Sequence, residues 1–119
     1  MEGVAFQIVW KMQGFRTRCG DRGVILAGGA SKSRLWCQMV ADIAGIPVRI
    51  PEVADLACVG AAIIAGVGSG VFGSYEEGCR RMLVGEQTIM PDPQRSDEFA
   101  VLLAQYKDFA AKLGEAYGL

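Results

Sequence analysis

Val24-Ile25-Leu26-Ala27 is an unbroken apolar run, and Gly28-Gly29 ends it. A run this short and continuous suggests a strand buried on both faces, as in a parallel sheet. Helical spacing follows at once. From about Ser33 to Ala44, Leu35, Met39 and Ile43 share one face, with Trp36 and Val40 flanking. Gly45 stands where a left-handed helix cap is wanted, and Val48 to Ile50, between Pro47 and Pro51, reads as the next strand. Strands joined by a helix of this length are best placed parallel, with a right-handed crossover. Ligands of such sheets bind beyond the carboxyl ends of the strands. The loop at that place is Gly28-Gly29-Ala30-Ser31-Lys32-Ser33.

The rest of the chain reads as helices around this unit. Glu2 to Phe15 carries Val4, Ile8, Met12 and Phe15 on one face, with Ala5 and Val9 beside them, and the polar segment Arg16 to Gly23 is expected to be a loop. A helix from Asp55 to about Ser69 is rich in small residues, among them Gly60, Ala61, Ala62, Ala65 and Gly66. Each helical glycine costs about 1 kcal/mol relative to alanine, so close approach of another backbone is expected to offset it. Ser74 and Glu77 form a capping box that starts a short helix. Pro91 and Pro93 mark a connector, and a last helix runs from about Ser96 to Tyr117, with Phe99, Leu102, Tyr106, Ala110, Leu113 and Tyr117 on one face. The expected class is α/β, with a helix–strand–helix–strand–helix core, parallel strands and C-terminal helices. Residues 1–90 form the main body, and 91–119 form a connector and helix packed on the same domain.

Composition narrows the chemistry. The 119 residues suffice for one domain with one core. A net charge of −1 gives no general pull towards nucleic acid or anionic lipid. The most apolar stretch, Leu56 to Val67, is too short to span a membrane and is interrupted by Gly60 and Gly66. No signal-peptide zones open the chain. Cys19, Cys37, Cys58 and Cys79 are widely spaced without a CxxC pair, which argues against a zinc site and for free thiols in a cytoplasmic protein. Three of these cysteines lie in apolar helical patterns, where each is expected to pack as a small hydrophobe. The absence of histidine removes Ser-His-Asp and Cys-His catalysis and most imidazole metal sites. Any chemistry must run on carboxylates, hydroxyls, backbone amides or lysine.

The glycine loop has two readings. Paired glycines let a ligand approach the backbone, and the helix behind them offers unpaired amides and a positive dipole end suited to phosphate. Alternatively, Gly28 and Gly29 only make a tight turn, with Ser31 or Ser33 as an N-cap. The loop is neither a Walker A motif nor G-x-G-x-x-G. A dinucleotide fold is disfavoured because the nearest acid beyond the second strand is Glu52, after Pro51.

The ordered set Gly28-Gly29-Ala30-Ser31-Lys32-Ser33-Arg34-Leu35-Trp36, Gln38, Ala41-Asp42, Gly45, Pro47-Val48, Pro51-Glu52 and Gly60-Ala61-Ala62 with Ala65 resembles the C-terminal region of FGGY carbohydrate kinases. Xylulokinase-like and glycerol kinase-like enzymes belong there. Glu2-Gly3-Val4-Ala5-Phe6 resembles the helix that precedes this region. The resemblance implies part of an actin-like (ribonuclease H-like) ATPase fold, with a cleft between two domains. It also implies transfer of the ATP γ-phosphate, with Mg2+, to a sugar or polyol hydroxyl.

Carried over by position, the resemblance puts Gly28, Gly29, Ala30 and Ser33 at the nucleotide. Ala27 departs from the glycine or aspartate that many members have. Lys32 is either near a phosphate or a solvent-facing lysine. Asp42 is expected to be a solvated or locally hydrogen-bonded position, and Asp55 an N-cap. No catalytic residue and no metal ligand are assigned, because the family's aspartate base and sugar-contacting residues lie upstream. The chain is therefore expected to be a fragment, inactive as a sugar kinase by itself and prone to self-association. A stand-alone nucleotide- or phosphate-binding module and a non-catalytic interaction domain are the alternatives.

Overall fold

The computed structural model describes residues 2–19, 24–53 and 55–117, and the side chains within them except those of 15–19 and 117. Helix α1 spans Glu2–Cys19, strand β1 Val24–Ile25, helix α2 Arg34–Ala44 and strand β2 Val48–Pro51. Helices α3 (Leu56–Gly68) and α4 (Tyr75–Met82) come next, then strand β3 (Glu86–Ile89) and helix α5 (Pro93–Tyr117). Residues 16–19, expected to be loop, continue α1. Residues 20–23 of that expected loop, and the packing expected of Phe15, Cys19 and Tyr117, lie outside the described residues.

The sheet runs β1-β2-β3. β1 and β2 are parallel, with Val24 opposite Val48, as the crossover helix requires. The run expected to be a strand buried on both faces is strand only over Val24–Ile25, and Ile25 is exposed. The third strand was not expected. β3 pairs antiparallel with β2, Ile89 opposite Val48 and Glu86 opposite Pro51, so the sheet is mixed rather than purely parallel. Its sequence, Glu86-Gln87-Thr88-Ile89, buries only Ile89, and so carries no local apolar signal.

α2 is the hub, packing on α1, α5 and the sheet. Ser33 caps its start by accepting the Trp36 N–H at 3.3 Å, and Gly45 ends it in the left-handed region at φ 64°. Trp36, Met39, Val40 and Ile43 are buried, whereas Leu35 is exposed. α1 turns a different stripe inward from the one its spacing suggested. Ala5, Phe6 and Val9 are buried, and Val4 and Ile8 are exposed. Aromatic contact explains the choice, since Phe6 meets Phe99 with ring centroids 6.0 Å apart and Tyr106 at 5.6 Å. α5 answers with Phe99 and Leu103 buried and Leu102 exposed. Each fully buried valine of this core, Val9, Val40 or Val48, contributes about 1.5–3 kcal/mol.

α5 begins earlier than its spacing suggested. Pro93 occupies the first helical position, and Asp92 Oδ1 accepts the Gln94 N–H at 3.0 Å. α3 and α4 pack on each other. The capping box forms with a shift: Ser74 Oγ accepts the Glu77 N–H at 3.2 Å, but Glu77 reaches back to the N–H of Gly73 at 2.7 Å. Among the described residues no helix is long and apolar enough to cross a membrane.

Candidate functional site

The loop after β1 is a small self-bonded structure. Gly28 sits at φ 81°, a conformation favourable to glycine. Its carbonyl accepts both the Ser31 N–H at 3.2 Å and the Ser31 hydroxyl at 2.7 Å. A single 3-10 turn, Gly29–Lys32, then delivers the chain to Ser33 at the start of α2. One turn into α2, the Cys37 thiol donates to the Ser31 carbonyl at 3.3 Å. Burial pushes that thiol above its ordinary pKa, which keeps the proton on sulfur and the bond in place. Of the other cysteines, Cys58 and Cys79 are exposed, so the expectation of buried thiols holds for Cys37 and not for these two.

This loop forms one wall of an open cleft of about 430 Å³. Ala27, Gly28, Ser31 and Lys32 line the β1 side. Ile50, Pro51, Glu52, Val53 and Leu56 line the β2 side, and Gln87 comes from β3. The cleft lies at the carboxyl ends of two adjacent parallel strands, where open α/β sheets bind ligands. Of the four residues that the resemblance puts at the nucleotide, Gly28 alone lines the cleft directly. Gly29 and Ala30 form the turn beside it, and Ser33 is occupied as the α2 cap.

Of the β2 wall, Pro51-Glu52 entered the sequence reading as part of the family pattern and Glu52 as the nearest acid beyond the strand, but neither was placed at the nucleotide. Gln87 carried no signal, because its strand is recognised only through pairing with β2. Asp55, read as an N-cap, is one. Its carboxylate accepts the N–H of Cys58 at 3.1 Å and of Ala57 at 2.8 Å. These two bonds, that to Cys58 first, hold its pKa below the ordinary carboxylate range.

Of the two readings of Asp42, the hydrogen-bonded one holds and the solvated one does not. Its side chain is fully buried, accepting Gln38 Nε2 at 2.8 Å and the Asp92 N–H at 2.9 Å through Oδ1. It ties α2 to the entry of α5, away from the cleft. Among the described residues, no group of three histidine, cysteine or acidic side chains is placed to hold a metal ion.

Two solved structures share this arrangement over nearly the whole chain. The xylulose kinase from Rhodospirillum rubrum superposes with a TM-score of 0.78 at 22% identity, covering 99% of this chain and 24% of that one. The gluconate kinase from Lactobacillus acidophilus gives 0.86 at 19%, covering 98% and 24%. The fold is thus that of the matched quarter of these two kinases. Residues 1–69 match the FGGY family of carbohydrate kinases, C-terminal domain, and the chain belongs to that family.

Among curated relatives, an autoinducer-2 kinase of Escherichia coli K12 is 45% identical over 74 residues, 62% of this chain. The L-xylulose/3-keto-L-gulonate kinase of the same strain is 30% identical over 122 residues, 96% of this chain. The chain spans 14% of the first relative and 24% of the second.

Proposed function

We propose that this chain supplies one wall of the ATP site of a carbohydrate kinase that phosphorylates a sugar or polyol hydroxyl. The observation that carries the reading is the cleft itself. In a chain of this family, Gly28 in its positive-φ turn, Ser31 and Lys32 edge one cavity at the ends of two parallel strands, and α2 starts directly after them. Amides of a helix's first turn and a lysine together favour phosphate. Gly28, Gly29, Ala30 and Ser33 are then the backbone surface against which the nucleotide lies. Phosphoryl transfer is mostly positioning and charge stabilisation, and this wall serves the positioning of ATP. Mg2+ accompanies the phosphates. Among the described residues, no set of acids is placed to hold it.

Gly29→Val tests the placement. A Cβ at Gly29 meets nothing within 4 Å and φ there is not positive, so folding should be unaffected while the approach of a ligand is obstructed. Amide NMR shifts should move on titration with ADP around residues 28–33, and the movement should vanish in Gly29→Val. Shifts centred elsewhere, or none with the wild-type chain, would overturn it.

A further inference from the structure

Ser31 directs each of its polar groups into the protein's own structure. Its N–H and its hydroxyl both donate to the Gly28 carbonyl, at 3.2 and 2.7 Å, and its carbonyl accepts the Cys37 thiol at 3.3 Å. A serine hydroxyl has one proton to give, so that of Ser31 has none left for a phosphate. Ser33 Oγ is likewise engaged, as the cap that accepts the Trp36 N–H. Both hydroxyls of the loop thus serve its shape.

The bonds run in series from the core to the cleft. Cys37 is fully buried in α2, which packs on α1, α5 and the sheet, so its sulfur is a fixed point. Burial also keeps the thiol protonated, and therefore a donor, at neutral pH. From the sulfur the connection passes through Ser31 to the Gly28 carbonyl. Gly28 and Ser31 line the cleft, and Cys37 does not. Packing does little to hold the turn, because residues 28–30 are exposed and a Cβ at Gly28 or Gly29 would meet nothing within 4 Å. Its shape therefore depends on its hydrogen bonds.

We infer that Ser31 and Cys37 are positioning residues of this cleft, which together latch the glycine turn to α2 in the shape that receives the nucleotide. The inference rests on the nucleotide reading of the cleft. A glycine turn without the latch would have to be ordered as the ligand binds, and that ordering lowers affinity. The thiol acts without touching the nucleotide, and the serine hydroxyl acts through Gly28.

The test measures ADP binding by calorimetry on the wild-type chain, Ser31→Ala, Ser31→Thr, Cys37→Ala, Cys37→Ser and the double alanine variant. Each single alanine variant should bind ADP roughly threefold to tenfold more weakly than wild type. Ser31→Thr and Cys37→Ser keep a donor and should restore most of that loss. The double variant should bind no more weakly than the weaker single, because either change opens the same latch. In the ligand-free chain, Cys37→Ala should shift the amide NMR signals of residues 28–31, although the altered side chain lies in α2. Ser31 stands outside the core, so Ser31→Ala decides the matter even if Cys37→Ala unfolds. Unchanged ADP affinity in Ser31→Ala, losses that add in the double variant, or no rescue by the donor-keeping variants would overturn the inference while leaving the cleft a nucleotide site. If the wild type binds no ADP, the nucleotide reading itself fails, and the inference with it.

Discussion

Asp42 accepts the backbone N–H of Asp92 at 2.9 Å, joining the last turn of α2 to the N-cap of α5 across fifty residues of chain. The same oxygen accepts Gln38 Nε2, which also donates to the Met90 carbonyl at 2.9 Å. Oδ2 makes no hydrogen bond and faces Arg95 Nε as an ion pair at 3.4 Å. One buried carboxylate thus fixes the whole turn from β3 into α5.

Asp42→Ala should therefore be costly. It removes the acceptor of a buried backbone donor and leaves Gln38 and Arg95 without their shared partner. Loss of these charge-assisted bonds is expected to cost about 2–4 kcal/mol. Asp42→Asn, which keeps one acceptor oxygen, should lose less. Arg95→Ala should also lose less, because it leaves the two hydrogen bonds to Oδ1 in place, though it still costs stability by leaving the buried Oδ2 without its counter-charge. Urea unfolding of the three variants gives the order directly, and an Asp42→Ala midpoint equal to wild type would refute the clamp.

Glycines of α3 and α4 separate into two kinds. A Cβ at Gly66 would lie 2.5 Å from the Phe72 ring, and one at Gly78 would lie 2.7 Å from Ile63 Cγ2. A Cβ at Gly60 meets nothing within 4 Å. Gly66→Ala and Gly78→Ala are each expected to destabilise by about 1–3 kcal/mol through overpacking. Gly60→Ala should stabilise by roughly 0.5–1 kcal/mol through helix propensity. Thermal unfolding midpoints should shift in opposite directions, and a common direction for all three would contradict the packing described.

Much of the β1–α2–β2 unit was legible because its signals are local. Val24 to Ala27 is continuously apolar, Gly45 is a cap, and prolines bracket β2. The glycine loop was legible for the same reason, and family resemblance gave it a ligand. What escaped reading depends on contacts far apart in sequence. β3 exists because Arg49 and Ile50 find Thr88 and Gln87. Asp42 is buried because Asp92 and Arg95 return to it. α1 offers more than one apolar stripe, and only the meeting of Phe6 with Phe99 and Tyr106 selects between them. The small residues of α3 suggested a second backbone, but the contact found at Gly66 is an aromatic ring.

Asp55 gives the stability of α3 a definite pH dependence. The carboxylate accepts the N–H of Cys58 and of Ala57, and both bonds favour its charged form, so its folded-state pKa lies below the unfolded value. A depressed pKa means that the unfolded chain takes up the proton first. The cap's contribution is therefore complete at neutral pH and is lost as pH falls through the ordinary carboxylate range to the lowered folded value. Asp55→Asn keeps an N-cap acceptor without the titration. The wild type's stability margin over Asp55→Asn should shrink on acidification and be constant above the carboxylate range. A margin independent of pH would show that the charged cap contributes nothing.

The last expectation concerns association of the 119-residue chain in solution. β1 lies at the sheet edge, and among the described strands it pairs only with β2. Its bonds to β2 run from Val24 N–H to the Pro47 carbonyl and from Leu26 N–H to the Arg49 carbonyl. Strand alternation turns the backbone groups of Ile25 outward, and the Ile25 side chain is 55% exposed. No proline or charged side chain blunts this edge within Val24–Ala27, so it remains a template for another strand. α3 adds an exposed Ile64. Self-association should follow, with a two-fold dimer as the commonest closed form. Light scattering across a concentration series should show mass rising above that of the monomer. Ile25→Lys should restore the monomer by charging the edge, whereas Ile64→Glu should do so only if α3 carries the contact. A wild-type chain that stays monomeric at every concentration, with a sharp unfolding transition, would show that the edge is protected.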